Sequence, residues 1–291
     1  MSGAGTVGFI GLGNMGRPIA VNVGKGGHEM IVYDAAGTAE RAPEGARVAG
    51  SVAQVAAEAD TVLLSLPDGK VVASVAEEII ETNNRRVACV ADTSTVGIDA
   101  ARAAQRRFAD AEIEYVDAPV SGGTAGAAAA SIAVMYAGSE ATFERLMPVF
   151  TSMAKNVFYI GPNPGQGQAM KILNNYLSAT AMAATSEAVA FGEAEGLDPN
   201  TVVAVLNASS GQNTASSDKF PNRILKGKFD AGFTNTLLCK DVGLYMDAVA
   251  RAGTADTVGQ TVIGVWRKFL AAEPGADICS VYPFIKGKRR S

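Results

Sequence analysis

Histidine is almost missing from this chain: His28 is the only one among 291 residues. It follows Gly26-Gly27, in what reads as a turn before a strand, and is expected on the surface. A histidine-built metal centre and any catalytic triad that needs an imidazole are thereby excluded, and no metal site is expected. Cysteine is scarce too. Cys89, Cys239 and Cys279 form no C-x-x-C, and any disulfide among them leaves one over, so a reduced, cytoplasmic chain is expected. Positive charge is not in excess: 25 Lys and Arg stand against 29 Asp and Glu, a net charge of -4, which argues against nucleic acid as a partner. No apolar run reaches the about 20 residues of a membrane span. No basic segment precedes the first strand, so neither a signal peptide nor membrane attachment is expected. The basic stretch Lys286–Ser291 reads as a solvated terminus.

What is plentiful is glycine, 32 residues, within a composition that is 48% hydrophobic and 19% charged, as in a soluble globular chain of about two domains. The glycines are most telling near the start. The apolar run Thr6–Ile10 opens onto Gly11-Leu12-Gly13-Asn14-Met15-Gly16, a G-x-G-x-x-G sequence. The glycines serve different ends. Gly11 allows a tight turn out of the strand, Gly13 lets the backbone approach a pyrophosphate closely, and Gly16 permits packing of helix on strand. A helix is expected from about Arg17 to Lys25, with Pro18 tolerated in its first turn. A second strand, Met30–Tyr33, ends on Asp34, 23 residues after Gly11, where an acidic residue would meet the adenosine ribose. No arginine adjoins Asp34 in sequence, and Arg41 is some way off, so NAD is expected in preference to NADP.

Alternating patterns continue through the first half. Strands are expected at 6–10, 30–33, 61–66, 87–91, 113–117, 132–137 and 156–160, with helices at 51–59, 70–81, 98–109 and 139–150. This alternation implies a mostly parallel sheet covered on both faces. Gly161-Pro-Asn-Pro-Gly165 then punctuates the chain, which places one domain at 1–163 and a second at 164–291. The second opens with a long helix over about 166–195, and the rest reads as further helices.

Three segments carry polar groups suited to chemistry. Ser121, Gly122 and Gly123 follow a strand, where a hydroxyl and bare N–H groups suit a carboxylate; a plain turn is an equal reading. Lys171 and Asn175 lie at i and i+4, on one face of the long helix. A lysine facing an apolar interior is costly unless it serves the chemistry, although a lysine that snorkels to solvent reads as well. Lys240-Asp241 alone reads as a charged pair on a helix surface.

Together these segments resemble the β-hydroxyacid dehydrogenase family, which includes 3-hydroxyisobutyrate dehydrogenase. The resemblance covers essentially the whole chain and rests on G-F-I-G-L-G-N-M-G (8–16), L-P-D (66–68), D-T-S-T (92–95), D-A-P-V-S-G-G-T-A-G-A (117–127), G-Q-G-Q-A-M-K-I-L-N-N (165–175) and K-D-V-G-L (240–244). It implies a Rossmann-like α/β dinucleotide-binding domain, a long interdomain helix and an all-α C-terminal domain. It implies a catalytic role for Lys171, with Asn175 placing substrate, and a substrate carboxylate held by Ser121, Gly122 and Gly123. It also implies cofactor contacts from Gly11 to Gly16, Asp34, Leu66, Pro67 and Thr95, with Lys240 reaching cofactor or substrate.

The implied reaction is hydride transfer between NAD, with NADP as the second possibility, and a small anionic 3-hydroxy acid, in a homodimer or homotetramer. Lysine is the natural base where no histidine is available, because burial lowers its proton affinity toward the working range. The alternatives are an imine reductase, a class that generally lacks this lysine, and a cofactor-binding module without turnover. Two departures stand out. Ala130-Ser-Ile132 replaces the family's G-T-L, and Ser209–Lys219, where substrate choice is expected, matches no subgroup.

Overall fold

The computed structural model describes residues 5–287, so 288–291 of the basic tail lie outside the described residues. The chain divides into two units, Met1–Lys171 and Ile172–Ser291.

The first unit runs β1 (Val7–Ile10), α1 (Gly16–Lys25), β2 (Met30–Tyr33), β3 (Arg47–Val48), α2 (Val52–Glu58), β4 (Thr61–Leu64), α3 (Gly69–Glu81), β5 (Cys89–Asp92) and α4 (Ile98–Asp110). It continues through β6 (Glu114–Asp117), β7 (Val120–Ser121), α5 (Gly123–Ala128), β8 (Ile132–Ala137), α6 (Glu140–Met153) and β9 (Ala154–Gly161), and ends within α7 (Gln166–Ala194). The nine strands form one sheet in the order β3-β2-β1-β4-β5-β6-β8-β7, with β9 paired to β8. From β3 to β6 all pairings are parallel; β8 runs antiparallel to β6 and β7.

Alternation along the strands explains why both faces are covered. Phe9, Leu63 and Ala91 point to one side and pack with Ile19, Val23, Leu146 and Phe150 of α1 and α6. Ile10, Val62, Leu64 and Val90 point to the other and pack with Val55, Val75, Ile79 and Phe108 of α2, α3 and α4. With neighbours on both sides, these strands read as unbroken apolar runs. Three helices of this face and its opposite begin on side-chain caps that take orphan N–H groups: Ser51 for α2, Asp68 for α3 and Ser139 for α6.

Three elements were not expected from sequence. β3 has only two residues, both exposed, and β7 has only two, too few for a periodic pattern. α5 is built from glycine and alanine after Gly122, a stretch that reads as loop. The departure at Ala130 has a visible consequence: this residue holds φ +50, the left-handed region that favours glycine.

In the second unit α7 continues to Ala194. It is followed by α8 (Pro199–Asn207), capped by Asp198, and by a π-helical turn (Ala215–Lys219) that leads into α9 (Phe220–Asn222). Then come α10 (Asn235–Ala252), α11 (Thr257–Ala272) and α12 (Val281–Ile285). α10 stops at Gly253, whose φ of +66 ends the helix with a left-handed residue. The core is aromatic, centred on Trp266, Phe269 and Phe220 with Ala179 and Val242. Trp266 satisfies its buried indole by donating Nε1–H to the Ala179 carbonyl at 3.2 Å. The Rossmann-like α/β part followed by an all-α part is thus the architecture of the chain. Among the described residues no helix is long and apolar enough to cross a membrane.

Candidate active site

The strand order reverses at β1, which lies between β2 and β4. In open parallel sheets ligands bind beyond the carboxyl ends of the strands at such a point. The Gly11–Gly16 loop leaves β1 there, and Leu66 and Pro67 follow β4 there.

The three glycines behave differently when a Cβ is imagined on each. At Gly11, with φ +97, it would meet the Ser65 carbonyl oxygen at 2.3 Å. At Gly16 it would meet the Gly11 carbonyl oxygen at 1.9 Å. At Gly13 it would meet nothing within 4 Å. Gly11 and Gly16 are therefore required by the protein's own packing. Gly13 is required by nothing in the protein, which suits a backbone kept bare for a ligand. No side chain caps the start of α1, whose N–H groups face the same end. Asn14 is exposed, Met15 half-buried, and Leu12 buried in the core. The loop accordingly fits a dinucleotide.

Asp34 lies at the end of β2, as expected, but its surroundings differ from expectation. Its Oδ2 accepts the Leu12 N–H at 2.6 Å, which ties β2 to the glycine loop. Its Oδ1 accepts the Ala36 N–H at 2.8 Å and pairs with Arg41 Nη1 at 3.1 Å. An arginine does adjoin Asp34. The turn after β2 folds back, with Arg41 N–H bonded to the Thr38 carbonyl, and so spans the seven-residue separation.

The loops after β4 and β5 are laced together. Leu66 N–H donates to Ser94 Oγ at 2.8 Å, and Thr93 Oγ1 donates to the Leu64 carbonyl at 2.6 Å. Pro67 is exposed and Thr95 half-buried along the same loops. The fully buried Gln168, in the first turn of α7, fixes this loop to the helix. Its Oε1 accepts the N–H groups of Val96 and Gly97, both at 3.0 Å, and its Nε2 donates to the Ser94 carbonyl at 2.8 Å.

Lys171 follows three residues later on α7 and is 7% exposed, so it does not snorkel out to solvent. The same turn is held from below by Asp117, at the end of β6. Its Oδ1 accepts the Gly165 N–H at 2.7 Å and its Oδ2 the Gln168 N–H at 2.8 Å. Asp117 is buried, and burial pushes its carboxyl up to about 7; the two backbone N–H bonds oppose this, and neighbouring Asp92 adds to it. Gly167 must be glycine here, since a Cβ would meet the Met135 carbonyl at 2.4 Å.

Ser121 closes β7, half-buried, and Gly122 and Gly123 lead into α5 with φ of +140 and +66. In the first unit the glycine loop, Asp34, Leu66, Pro67, Thr95 and Ser121–Gly123 lie at or just after the ends of strands, and Lys171 lies near the start of α7.

In the second unit Asn175, one turn beyond Lys171 on α7, donates Nδ2 to Asp241 Oδ2 at 2.6 Å. Asp241 is buried, and its Oδ1 lies 3.3 Å from Lys240 Nζ. The Lys240-Asp241 pair is therefore not an ordinary surface pair: its carboxylate joins the two residues, Asn175 and Lys240, that sequence motifs single out separately.

Sequence reasoning named neither Gln168, Asp117 nor Asp241 as part of the site. Asp117 showed only as an acid at a strand end, and Gln168 only as a letter three before the lysine. Asp241 reads locally only as half of a charged surface pair, because its partner Asn175 is 66 residues away.

Residues 6–161 match the family model described as the NAD binding domain of 6-phosphogluconate dehydrogenase. Residues 165–285 match the model described as NAD-binding of NADP-dependent 3-hydroxyisobutyrate dehydrogenase. A 2-(hydroxymethyl)glutarate dehydrogenase of Eubacterium barkeri is 36% identical over 246 residues, 83% of this chain and 81% of its own length. The solved structure of Mycobacterium tuberculosis 3-hydroxyisobutyrate dehydrogenase with L-serine has a TM-score of 0.87 at 32% identity, over 97% of this chain and 99% of that one. A Streptomyces aurantiacus imine reductase shares the fold alone, with a TM-score of 0.64 at 24% identity over 98% of this chain and 100% of that one. With both halves of the chain matched and relatives above 30% identity along most of its length, the chain belongs to the β-hydroxyacid dehydrogenase family of oxidoreductases.

Proposed function

We propose that the chain oxidises a small acid whose hydroxyl lies β to its carboxylate, or reduces the matching semialdehyde acid, with Lys171 as general acid/base. The observation that carries this reading is the placement of Lys171. Its side chain is buried on the first turns of α7, beside a loop that Gln168 and Asp117 hold in register. A lysine buried at that cost is the kind of group that exchanges a proton at a reacting centre.

When bound, the dinucleotide supplies the acceptor or donor of hydride. The chain's own groups do the rest. Gly11 to Gly16 and the uncapped start of α1 hold the pyrophosphate, and Asp34 accepts from ribose hydroxyls. Leu66, Pro67 and Thr95 lie along the cofactor, with Thr95 near the nicotinamide end. Ser121 and the N–H groups of Gly122 and Gly123 hold the substrate carboxylate. Lys171 Nζ takes the hydroxyl proton in oxidation and returns it to the carbonyl oxygen in reduction. Asn175 places the substrate, and Lys240 supplies positive charge to substrate or cofactor.

The relatives' names support the substrate class. 3-Hydroxyisobutyrate and 2-(hydroxymethyl)glutarate both carry a hydroxymethyl group on the carbon next to a carboxylate. A homodimer or homotetramer belongs to the proposal, supported by the exposed Leu177 and Phe191 on α7.

The test is a spectrophotometric screen with NAD and NADP against 3-hydroxyisobutyrate, serine, threonate, glycerate, 4-hydroxybutyrate and 2-(hydroxymethyl)glutarate. Turnover of at least one 3-hydroxy acid is expected. Dinucleotide binding without turnover across the panel would instead make the chain a binding module. An uncharged alcohol matching the best acid in kcat/KM would remove the carboxylate site.

A further inference from the structure

Gln168 is fully buried in the first turn of α7, three residues before Lys171, and its carboxamide is used on both sides. Oε1 accepts the N–H groups of Val96 and Gly97, each at 3.0 Å, and Nε2 donates to the Ser94 carbonyl at 2.8 Å. These partners fix the direction of the amide. Reversed, it would set its NH2 against two N–H donors and its oxygen against a carbonyl. A carboxylate only accepts and an ammonium only donates, so neither would satisfy all three groups.

Each side of this junction is itself anchored. On the helix side, Asp117 accepts the Gly165 and Gln168 N–H groups, and Gly167 has no room for a Cβ against the Met135 carbonyl. The first turn can therefore neither rotate nor slide without breaking these contacts, and Lys171 lies one turn along the same helix. On the loop side, Ser94 N–H donates to Asp92 Oδ1 at 2.9 Å, and Ser94 Oγ accepts the Leu66 N–H at 2.8 Å. Thr93 Oγ1 donates to the Leu64 carbonyl, so the loops after β4 and β5 are tied into one body. Gln168 joins that body to the helix. All of these residues lie in the first unit.

We infer that Gln168 is a positioning residue for the reaction: it sets the place of Lys171 relative to the loops that carry Leu66, Pro67 and Thr95. This rests on the roles proposed above for Lys171 and for those loops. In oxidation the hydroxyl proton goes to the Lys171 amine, and the hydride on the carbinol carbon goes to the nicotinamide. Both acceptors must be in range of one carbinol at the same time. A displacement of about 1 Å, even one that arises away from the chemistry, can lower a rate about 100-fold. One carboxamide, carried on the helix and bonded to the loop, keeps the two acceptors in a fixed relation. Gln168 acts through these groups and not on the reacting atoms.

The experiment is steady-state kinetics on the wild type, Gln168→Met and Gln168→Glu across a range of pH, with the best acid from the screen. NADH titration and thermal melts run alongside. Gln168→Met keeps the length of the side chain and loses all three bonds. Its kcat should fall about 10- to 100-fold while NADH affinity stays within about threefold, since the glycine loop is untouched. Gln168→Glu still accepts from Val96 and Gly97, and when protonated it also donates to the Ser94 carbonyl. Burial raises such a carboxyl above its ordinary value of about 4.3. Its kcat relative to wild type should therefore be highest at about pH 5 and fall as pH rises and the donor is lost. A side chain that serves stability alone would lower melting in both variants and leave kcat per folded chain, and its pH dependence, unchanged. A Gln168→Met kcat within about threefold of wild type, against the expected tenfold loss, overturns the inference. So does a Gln168→Glu to wild-type ratio that is flat with pH. If Gln168→Met does not fold, the pH dependence of Gln168→Glu decides alone. A wild type that binds NADH but turns over no acid overturns the proposed reaction and this inference together, whereas the variant outcomes overturn the inference alone.

Discussion

Asn175 Nδ2 and Asp241 Oδ2 lie 2.6 Å apart, both residues buried, one on α7 and the other on α10. A short bond from an amide to a buried carboxylate fixes which way the amide points, because the carboxylate can only accept. The orientation of Asn175, one turn from Lys171, is thus set by a residue that its own helix does not contain. Hydrogen bonds to charged groups contribute about 1.5–3 kcal/mol.

Asp241→Ala should therefore lower kcat by about 10- to 100-fold on the conversion of about 1.4 kcal/mol per decade. Asp241→Asn can still accept from Asn175 and should recover part of the loss. Steady-state kinetics on the best acid from the screen, with thermal melts as the folding control, would check this. Equal kcat for the wild type and both variants would detach Asp241 from the site.

Lys171→Ala should cost about 10²–10⁴-fold in kcat, the span lost with a proton-transfer group. Dinucleotide titration should change little, since the glycine loop is built by β1 and α1 and not by α7. A variant that keeps more than about a tenth of wild-type kcat, against that expected 10²-fold loss, would leave the proposed reaction without its base.

Gly13 and Gly16 separate ligand approach from packing. Gly13→Ala adds a methyl where the protein has nothing within 4 Å, so melting should be unaffected while NADH affinity falls. Gly16→Ala drives its methyl into the Gly11 carbonyl, and should destabilise by about 1–3 kcal/mol as overpacking does. A Gly13→Ala chain with undiminished NADH binding would mean that no pyrophosphate lies against that backbone.

Asp117 makes the stability of the first unit depend on pH. Its carboxyl is pushed from 3.8 up to about 7, chiefly by burial. Between those values the folded chain holds a proton that the unfolded chain has released. Stability from the neutral form is complete below the unfolded value and is lost as pH rises through about 7. Asp117→Asn has no such titration. The melting temperature of the wild type relative to Asp117→Asn should therefore be higher at pH 5 than at pH 8. A gap that is the same at both pH values would show that Asp117 is ionised throughout.

Where a feature depends on neighbours in sequence, the chain declared it unaided. The glycine spacing 11, 13, 16 needs only a strand before and a helix after, and the i, i+4 pair Lys171 and Asn175 needs only a helix. The buried parallel strands announced themselves because both faces are covered, which forces continuous apolar runs. The α/β-then-α order followed from those runs and from the break at Gly161–Gly165. Tertiary structure alone decided the contacts that orient these groups. Arg41 meets Asp34 because a turn folds back, Gln168 reaches Val96 and Gly97 across 72 and 71 residues, and Asp241 meets Asn175 across 66. A hydrogen bond is specified by direction and a few tenths of an ångström, and no pattern of residue types carries that information until the backbone has been placed.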